Sequence, residues 1–276
     1  MGLEIQRQLS LQVDLSFQRH HDFMVEHGLE RCRNLVDIGT GSGRFLAGIA
    51  REHPTIEFYG IDDKAQMLQA AMDFDLPNIG WSRAHALDRQ TAELLRWADG
   101  VLMRNIVLHL PNTSDSLREI LGATRPGTRL WVFDVDLDHC QCVPDSAAFQ
   151  GFMSLVHAFC KRSGVELRTA ARLPRILAAN GFEVAGVVVE PFNNQAIEGP
   201  RFAEYLMREA SLYHFSVHGT PGTAELQPLS ELLLGNTGGA SQFVQYGMVM
   251  LAAEKRSPNA QPPRPPAQPI PPRPVP

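Results

Sequence analysis

The strongest chemical signal in the chain is a short apolar run that ends in closely spaced glycines. Val36-Asp37-Ile38 leads directly into Gly39-Thr40-Gly41-Ser42-Gly43, followed by Arg44 and Phe45. Glycines at this spacing let the backbone turn sharply and approach a ligand with no side chain between them, and a following helix offers its free N–H groups to the ligand. A second feature, Asp62, lies 19 residues beyond Gly43 at the end of the next apolar run. A carboxylate there accepts hydrogen bonds from both hydroxyls of a ribose. The two features together describe a site for an adenosine-bearing ligand. A nicotinamide site prefers G-x-G-x-x-G, whereas here the third glycine comes one residue earlier and an acid, Asp37, precedes the loop. A nicotinamide enzyme would also need a second catalytic domain, which 276 residues barely permit.

These residues must be held by regular elements, and the apolar periodicity supplies them. The first 30 residues read as a helix (Leu9, Val13, Phe17, Phe23 and Met24 at near-helical spacing) broken at Gly28. Strands are expected at Leu35 to Ile38, Ile56 to Ile61, Ile79 to Ala84, Gly100 to Arg104 and Arg129 to Val135. Helices alternate with them: Phe45 to Ala50, Lys64 to Met72, Gln90 to Trp97 and Ser114 to Leu121. Strand and helix in strict alternation imply an α/β, doubly wound sheet. Past Asp136 the pattern loosens into a helix (Ala147 to Lys161), a second helix stopped by Gly181 (Ala171 to Asn180), a sixth strand (Phe182 to Glu190) and a last strand (Phe243 to Ala253). Between those two strands, residues 192–240 form an insertion with helical patches at Phe202 to His214 and Ala224 to Leu234. The expected organisation is a helical cap (1–30), a catalytic domain (31–256) whose insertion is a lid or a dimer face, and a proline-rich tail (257–276). The tail has nothing to bury and reads as extended, solvated chain, with a docking role for its Pro-x-x-Pro pattern as the alternative.

Composition narrows the partners. A net charge of −5 gives no electrostatic footprint for a polyanion, and no local basic patch is visible, so no nucleic-acid partner is expected. No apolar run approaches the roughly 20 residues that span a bilayer, so no membrane partner is expected. The four cysteines (Cys32, Cys140, Cys142, Cys160) lack zinc-site spacing, no metal is expected, and the N-terminal residues do not read as a signal peptide. A cytoplasmic location fits these features.

Five segments in order, VDIGTGSGRF, YGIDDKAQML, ADGVLMRNIVLHLP, LREILGATRPGTRLWVFDVD and RTAARLPRILAANGFEV, resemble successive motifs of the class I, Rossmann-like S-adenosylmethionine-dependent methyltransferases, small-molecule type. They span residues 31 to 190. The resemblance implies a seven-stranded sheet with the seventh strand antiparallel between the fifth and sixth, and S-adenosylmethionine as cofactor. Asp37, Gly39, Thr40, Gly41 and Gly43 would hold its methionine end, Asp62 the ribose, and Asp63 and Met67 would flank the adenine. Where the family usually has an acid for the adenine amino group, this chain has His85, followed by Ala86. A neutral imidazole nitrogen can accept that bond, with Asp88 or backbone atoms as the alternative. Arg104 and Asn105 end the fourth strand beside the expected sulfonium, through backbone carbonyls and the Asn side chain.

Methyl transfer from a sulfonium is an in-line displacement in which orientation alone contributes about 7 to 11 kcal/mol. A base is needed only when the acceptor must lose a proton first. In small-molecule O-methyltransferases a similar motif carries a histidine base; here Leu108 aligns with it and His109 follows, so His109 is the candidate. His20, His21, His139 and His157 are weaker candidates near the mouth. The acceptor pocket belongs at the carboxyl ends of the strands. Phe202, Tyr205, Leu206, Met207, Tyr213 and Phe215 could enclose a flat or hydrophobic acceptor, form a homodimer face or build local core. Asn193, Asn194 and Gln195 would sit near the pocket if the insertion is a lid. The expectation is transfer to oxygen, nitrogen or carbon of a small organic acceptor of secondary metabolism. A protein that binds the cofactor without methylating, and an RNA or protein methyltransferase, are the alternatives.

Overall fold

The structure is a computed structural model; it describes residues 2–165, 169–234 and 242–257. Residues 258–276, which hold nearly all of the proline-rich tail, lie outside the described residues, as do residues 235–240 of the insertion. In chain order the elements are α1 (Gly2–Glu26), β1 (Asn34–Ile38), α2 (Arg44–Glu52), β2 (Glu57–Asp62), α3 (Ala65–Ala71), β3 (Ile79–Arg83), α4 (Arg89–Trp97), β4 (Gly100–Arg104), α5 (Thr113–Ala123), β5 (Arg129–Val135), β6 (Gln141–Val143), α6 (Ala147–Ser163), α7 (Thr169–Ala179), β7 (Phe182–Glu190), α8 (Gly199–His218), α9 (Gln227–Leu234), β8 (Phe243–Gln245) and β9 (Met248–Lys255). Seven strands form one sheet in the order β3-β2-β1-β4-β5-β9-β7. The first five are parallel, and β9 runs antiparallel to both β5 and β7. This is the Rossmann-like methyltransferase sheet that the resemblance implied.

The central strands are buried on both faces, as parallel strands covered by helices must be. On one face Val36, Ile38, Val101, Met103 and Leu251 pack with Leu117 and Ile120 of α5 and Leu173 and Leu177 of α7. On the other, Leu35, Leu102, Trp131, Phe133 and Met250 pack with Phe45, Leu46 and Ile49 of α2 and with Val13, Phe23 and Met24 of α1. Asp37, Arg104 and Asp134 interrupt these apolar runs near the carboxyl ends of β1, β4 and β5.

The sequence suggested one last strand from Phe243 to Ala253; the structure divides it. β8 pairs with β6 in a separate two-stranded ribbon, and only β9 enters the main sheet. The break falls at Tyr246-Gly247, where the Gly247 carbonyl accepts a hydrogen bond from the Asp136 N–H at 2.9 Å. A side chain at Gly247 would collide with the Asp136 carbonyl oxygen, so only glycine passes that close.

Above the sheet lies a helical layer. α8 packs on α6, α9 and α1, and its core joins Phe152, Val156 and Phe159 of α6 to Phe202, Tyr205, Leu206 and Tyr213 of α8 and to Phe192 and Tyr246. The aromatic set on α8 is therefore mostly internal core; Phe215, 38% exposed, is the member that faces solvent. Among the described residues no helix is long and apolar enough to cross a membrane.

Candidate active site

The glycine loop joins the end of β1 to the start of α2. Gly39, Gly41 and Gly43 all take positive φ (72°, 57° and 71°). A Cβ on Gly39 would lie 2.6 Å from Ile106 Cδ1, and one on Gly43 would lie 2.6 Å from the Trp81 ring, so glycine is required by packing as well as by conformation. The loop is tied to β2: the N–H groups of Gly39 and Thr40 both donate to the Ile61 carbonyl at 2.9 Å. Asp62 finishes the fastening, its Oδ2 accepting from Gly41 N and its Oδ1 from Lys64 N, each at 2.9 Å. Each carboxylate oxygen keeps a lone pair for further hydroxyl donors. Met67 of α3 is buried nearby, and Asp63 is exposed, its carbonyl accepting from Arg83 Nε at 3.1 Å.

Polar groups at the sheet's carboxyl end are left open. Asp37 is 3% exposed and its Oδ1 has no partner; the Thr40 hydroxyl and both amide atoms of Asn105 are likewise buried without one. Asn105 itself is held at φ 52°, a left-handed conformation that asparagine tolerates better than most residues. Buried groups in this state cost stability unless a ligand completes them. Burial pushes the Asp37 carboxyl up to about 7, against the pull of Thr40 and Arg104.

Arg104 closes the cluster from β4, and here the geometry differs from the expectation. Its side chain, rather than only its carbonyl, faces the site. The guanidinium lies 4.7 Å over the Phe45 ring, and Nη2 donates to Ser16 Oγ at 3.1 Å. It forms no ion pair with a carboxylate among the described residues, and desolvation lowers its pKa to about 10. Helix α1 covers this corner. Its Leu9 Cδ1 comes within 3.2 Å of where a Cβ at Gly41 would be, and its Asp14 pairs with Arg44 at 2.5 Å.

The residues expected at the adenine are placed differently from one another. Ala86 lies in the turn after β3. His85 is exposed, and its Nδ1 accepts the Leu87 N–H at 3.2 Å. With Nδ1 accepting, a neutral ring carries its proton on Nε2, so the free edge of His85 donates instead of accepting from the adenine amino group. The alternative, Asp88, is engaged by the His85 N–H at 2.8 Å.

His109 lies on a single 3-10 turn, Val107–His109, and not on a full helix. The turn hangs from Asp134, whose Oδ2 accepts the Val107 N–H at 2.7 Å and whose Oδ1 accepts the Val135 N–H at 2.8 Å. Asp134 escaped the sequence reading, although an acid inside the run Leu130 to Val135 was its signal. Leu108 points into the helical layer's core, while His109 reaches water and meets Phe159 edge-on at 6.2 Å. Protein crowded around the imidazole displaces enough water to lower its pKa to about 4, and Lys64 adds to that effect.

The other histidines are engaged: His20 with Glu190, His21 with His53 (Nε2 to Nε2, 2.8 Å) and His139 with Asp136 (2.6 Å), while His157 is exposed on α6. Asn193 and Asn194 are engaged by the backbone. Their side chains accept from Gln195 N, Ala196 N and Val244 N, and so fasten β8.

A second polar cluster lies between α1 and α8. Gln8 Nε2 donates to Glu209 Oε1 at 2.7 Å, Gln12 Nε2 to the Tyr205 hydroxyl at 3.3 Å, and the hydroxyls of Tyr213 and Tyr246 lie 3.0 Å apart. The Oε1 atoms of Gln8 and Gln12 are buried without a partner. A cavity of about 730 Å³ opens between α6, α8 and α9, but none of the expected cofactor residues lines it.

Residues 36–130 match the family model described as "Methyltransferase domain". The chain is 28% identical over 130 residues to a trans-aconitate 2-methyltransferase of Mycobacterium tuberculosis, covering 44% of this chain and 45% of that protein. It is 27% identical over 158 residues to the O-methyltransferase resE of Aspergillus sclerotiorum, 55% of each. The chain thus spans about half the length of the curated relatives it matches. Among solved structures, the [4+2]-cyclase SpnF superposes with a TM-score of 0.55 at 20% identity, over 86% of this chain and 80% of that one.

Proposed function

We propose that this chain, a member of the class I S-adenosylmethionine-dependent methyltransferases by its domain and its sheet, transfers the cofactor's methyl group to a small organic acceptor of secondary metabolism. One observation carries the cofactor's place: the unpartnered Asp37, Thr40 and Asn105 groups beside an Arg104 that makes no ion pair among the described residues. Open acceptors next to an open cation fit an ammonium and a carboxylate on one carbon, which is the methionine end of S-adenosylmethionine. Asp62 would take the ribose hydroxyls with its remaining lone pairs. When bound, the cofactor supplies an electrophilic methyl carbon on a sulfonium. The chain's own contribution is to orient and to exclude water: Asn105 and the 3-10 turn hung from Asp134 stand at the end of β4, and α1 covers the glycine loop.

The acceptor would sit near His109 and Phe159, whose ring lies 5.0 Å from that of Tyr213 in the polar cluster with Tyr205 and Glu209. The unpartnered groups of that cluster are acceptors only, the Gln8 and Gln12 oxygens, which suits an acceptor molecule bearing hydroxyl or amino hydrogens. The two curated relatives named above act on a small molecule or on oxygen by their names, which supports the same class, while shorter matches to tRNA (guanine-N(7)-)-methyltransferases keep RNA as the competing acceptor. His109, neutral at physiological pH, would take the proton from a hydroxyl acceptor. Calorimetry with S-adenosylmethionine tests the cofactor reading: measurable binding is expected, and absence of binding would end it. Methyl-labelled cofactor incubated with phenols, amines and indoles tests the acceptor class. Label confined to RNA or protein substrates would overturn it.

A further inference from the structure

Arg104 is held from behind by an assembly that none of the motifs includes. His20, on α1, is completely buried, its ring stacked on Phe133 of β5 at 4.1 Å and edge-on to Phe45 of α2 at 5.9 Å. Its Nε2 meets Glu190 Oε2, at the end of β7, at 3.1 Å. Glu190 is also completely buried, and its other oxygen accepts from Arg19 Nε at 2.8 Å. On the opposite side of the ring, His20 Nδ1 receives Arg104 Nε at 3.4 Å, the long end of the hydrogen-bond range.

A carboxylate and a guanidinium on opposite sides of one imidazole fix its protonation. Glu190 accepts, so Nε2 carries the proton; Arg104 donates, so Nδ1 offers a lone pair. The charged groups facing His20 are Glu190 from β7, Arg19 from its own helix and Arg104 from β4; Tyr205, Asp37 and Asp134 in turn face Arg104. Burial is the largest influence on His20 and keeps the ring neutral, as this arrangement requires. With Nε on His20 and Nη2 on Ser16, the guanidinium is fixed at two points of α1. Among the described residues its Nη1 makes no hydrogen bond.

We propose that His20 is a positioning residue for the cofactor: braced by Glu190, it aims the Nη1–Nη2 edge of Arg104 at the cofactor's carboxylate. The inference rests on the cofactor reading above. It makes α1 and β7, which carry no cofactor motif, part of the carboxylate's recognition.

Two isosteric variants and two ligands test it. S-adenosylhomocysteine carries the carboxylate; 5′-methylthioadenosine presents the same nucleoside without it. His20→Gln keeps a donor toward Glu190 but loses the lone pair at Nδ1, and should weaken S-adenosylhomocysteine about tenfold by calorimetry while leaving 5′-methylthioadenosine within twofold. His20→Asn keeps an acceptor near the Nδ1 position and should recover most of the loss. Equal weakening of both ligands by His20→Gln, or no weakening of either, overturns the inference. Failure of the unaltered chain to bind either ligand overturns the cofactor reading instead.

Discussion

The sheet's carboxyl end and the helical layer above it both bury polar groups, yet they leave different ones open. At the sheet, Asp37, Thr40 and Asn105 stand unpartnered beside a cation, a mixed set that suits a ligand bearing both charges. In the helical layer the open atoms are glutamine oxygens, while Glu209 and Tyr205 accept from Gln8 and Gln12 and the hydroxyls of Tyr213 and Tyr246 engage one another. The first arrangement specifies a ligand closely, whereas the second specifies only the sign of its hydrogen bonds. Substitutions in the two regions should therefore affect different ligands.

The largest effect is expected at the sheet. Asp62→Ala removes two charge-assisted bonds that fasten the loop together with the ribose contacts, and should weaken S-adenosylhomocysteine about 1,000-fold by calorimetry. Retention of affinity would dissolve the distinction between the regions. Next comes the boundary residue: His109→Gln should lower kcat for a hydroxyl acceptor about a hundredfold while the cofactor Kd stays within twofold. Because its pKa is held near 4, kcat in the unaltered chain should stay flat from about pH 5 upward as far as this residue governs it. An unchanged kcat in the variant would return His109 to a structural role.

A smaller effect should separate the helical layer from the sheet. Tyr205→Phe deletes the hydroxyl that accepts from Gln12 and should raise the acceptor's KM about tenfold, with unfolding in urea easier by about 1 kcal/mol and cofactor affinity unchanged. Loss of cofactor affinity in this variant would show that the regions act as one site.

The smallest is a matter of protons. Asp37's pKa is raised to about 7 from an ordinary 3.8, so the fold without cofactor keeps a proton that the unfolded chain releases. Stability attributable to Asp37 therefore declines as pH rises from about 4 to 7, and Asp37→Asn should flatten that slope. The cofactor's ammonium favours the carboxylate, so binding near pH 6 should release a fraction of a proton, measurable in buffers of different ionisation enthalpy. No release would remove Asp37 from the ammonium's surroundings.

How much of this was legible in the sequence follows the same division. The glycine loop, Asp62 and the strand-helix alternation are local patterns, and the sheet order follows from them with the family resemblance. Arg104's side-chain contacts were hidden because its partners, Ser16 and His20, are 88 and 84 residues away, and no periodicity connects them. Asp134 was overlooked for a related reason: within an apolar strand it reads as an interruption until the turn it supports is seen. The ring nitrogen that His85 leaves free depends on a bond from the Leu87 N–H that spacing alone does not reveal. Asn194 read as an amide near the pocket because β8, whose Val244 N–H it accepts, looked like the beginning of β9.

Gly247 gives that last division a consequence for folding. The ribbon it permits joins residues 141–143 to 243–245, about a hundred positions apart, and its seam to Asp136 binds the ribbon to the end of β5. A contact of such long range forms only after the intervening helices have been gathered in. Hydrogen exchange should then find the amides of Asp136 and Val244 protected together, opening with the helical layer as a single cooperative unit instead of fraying as a surface loop.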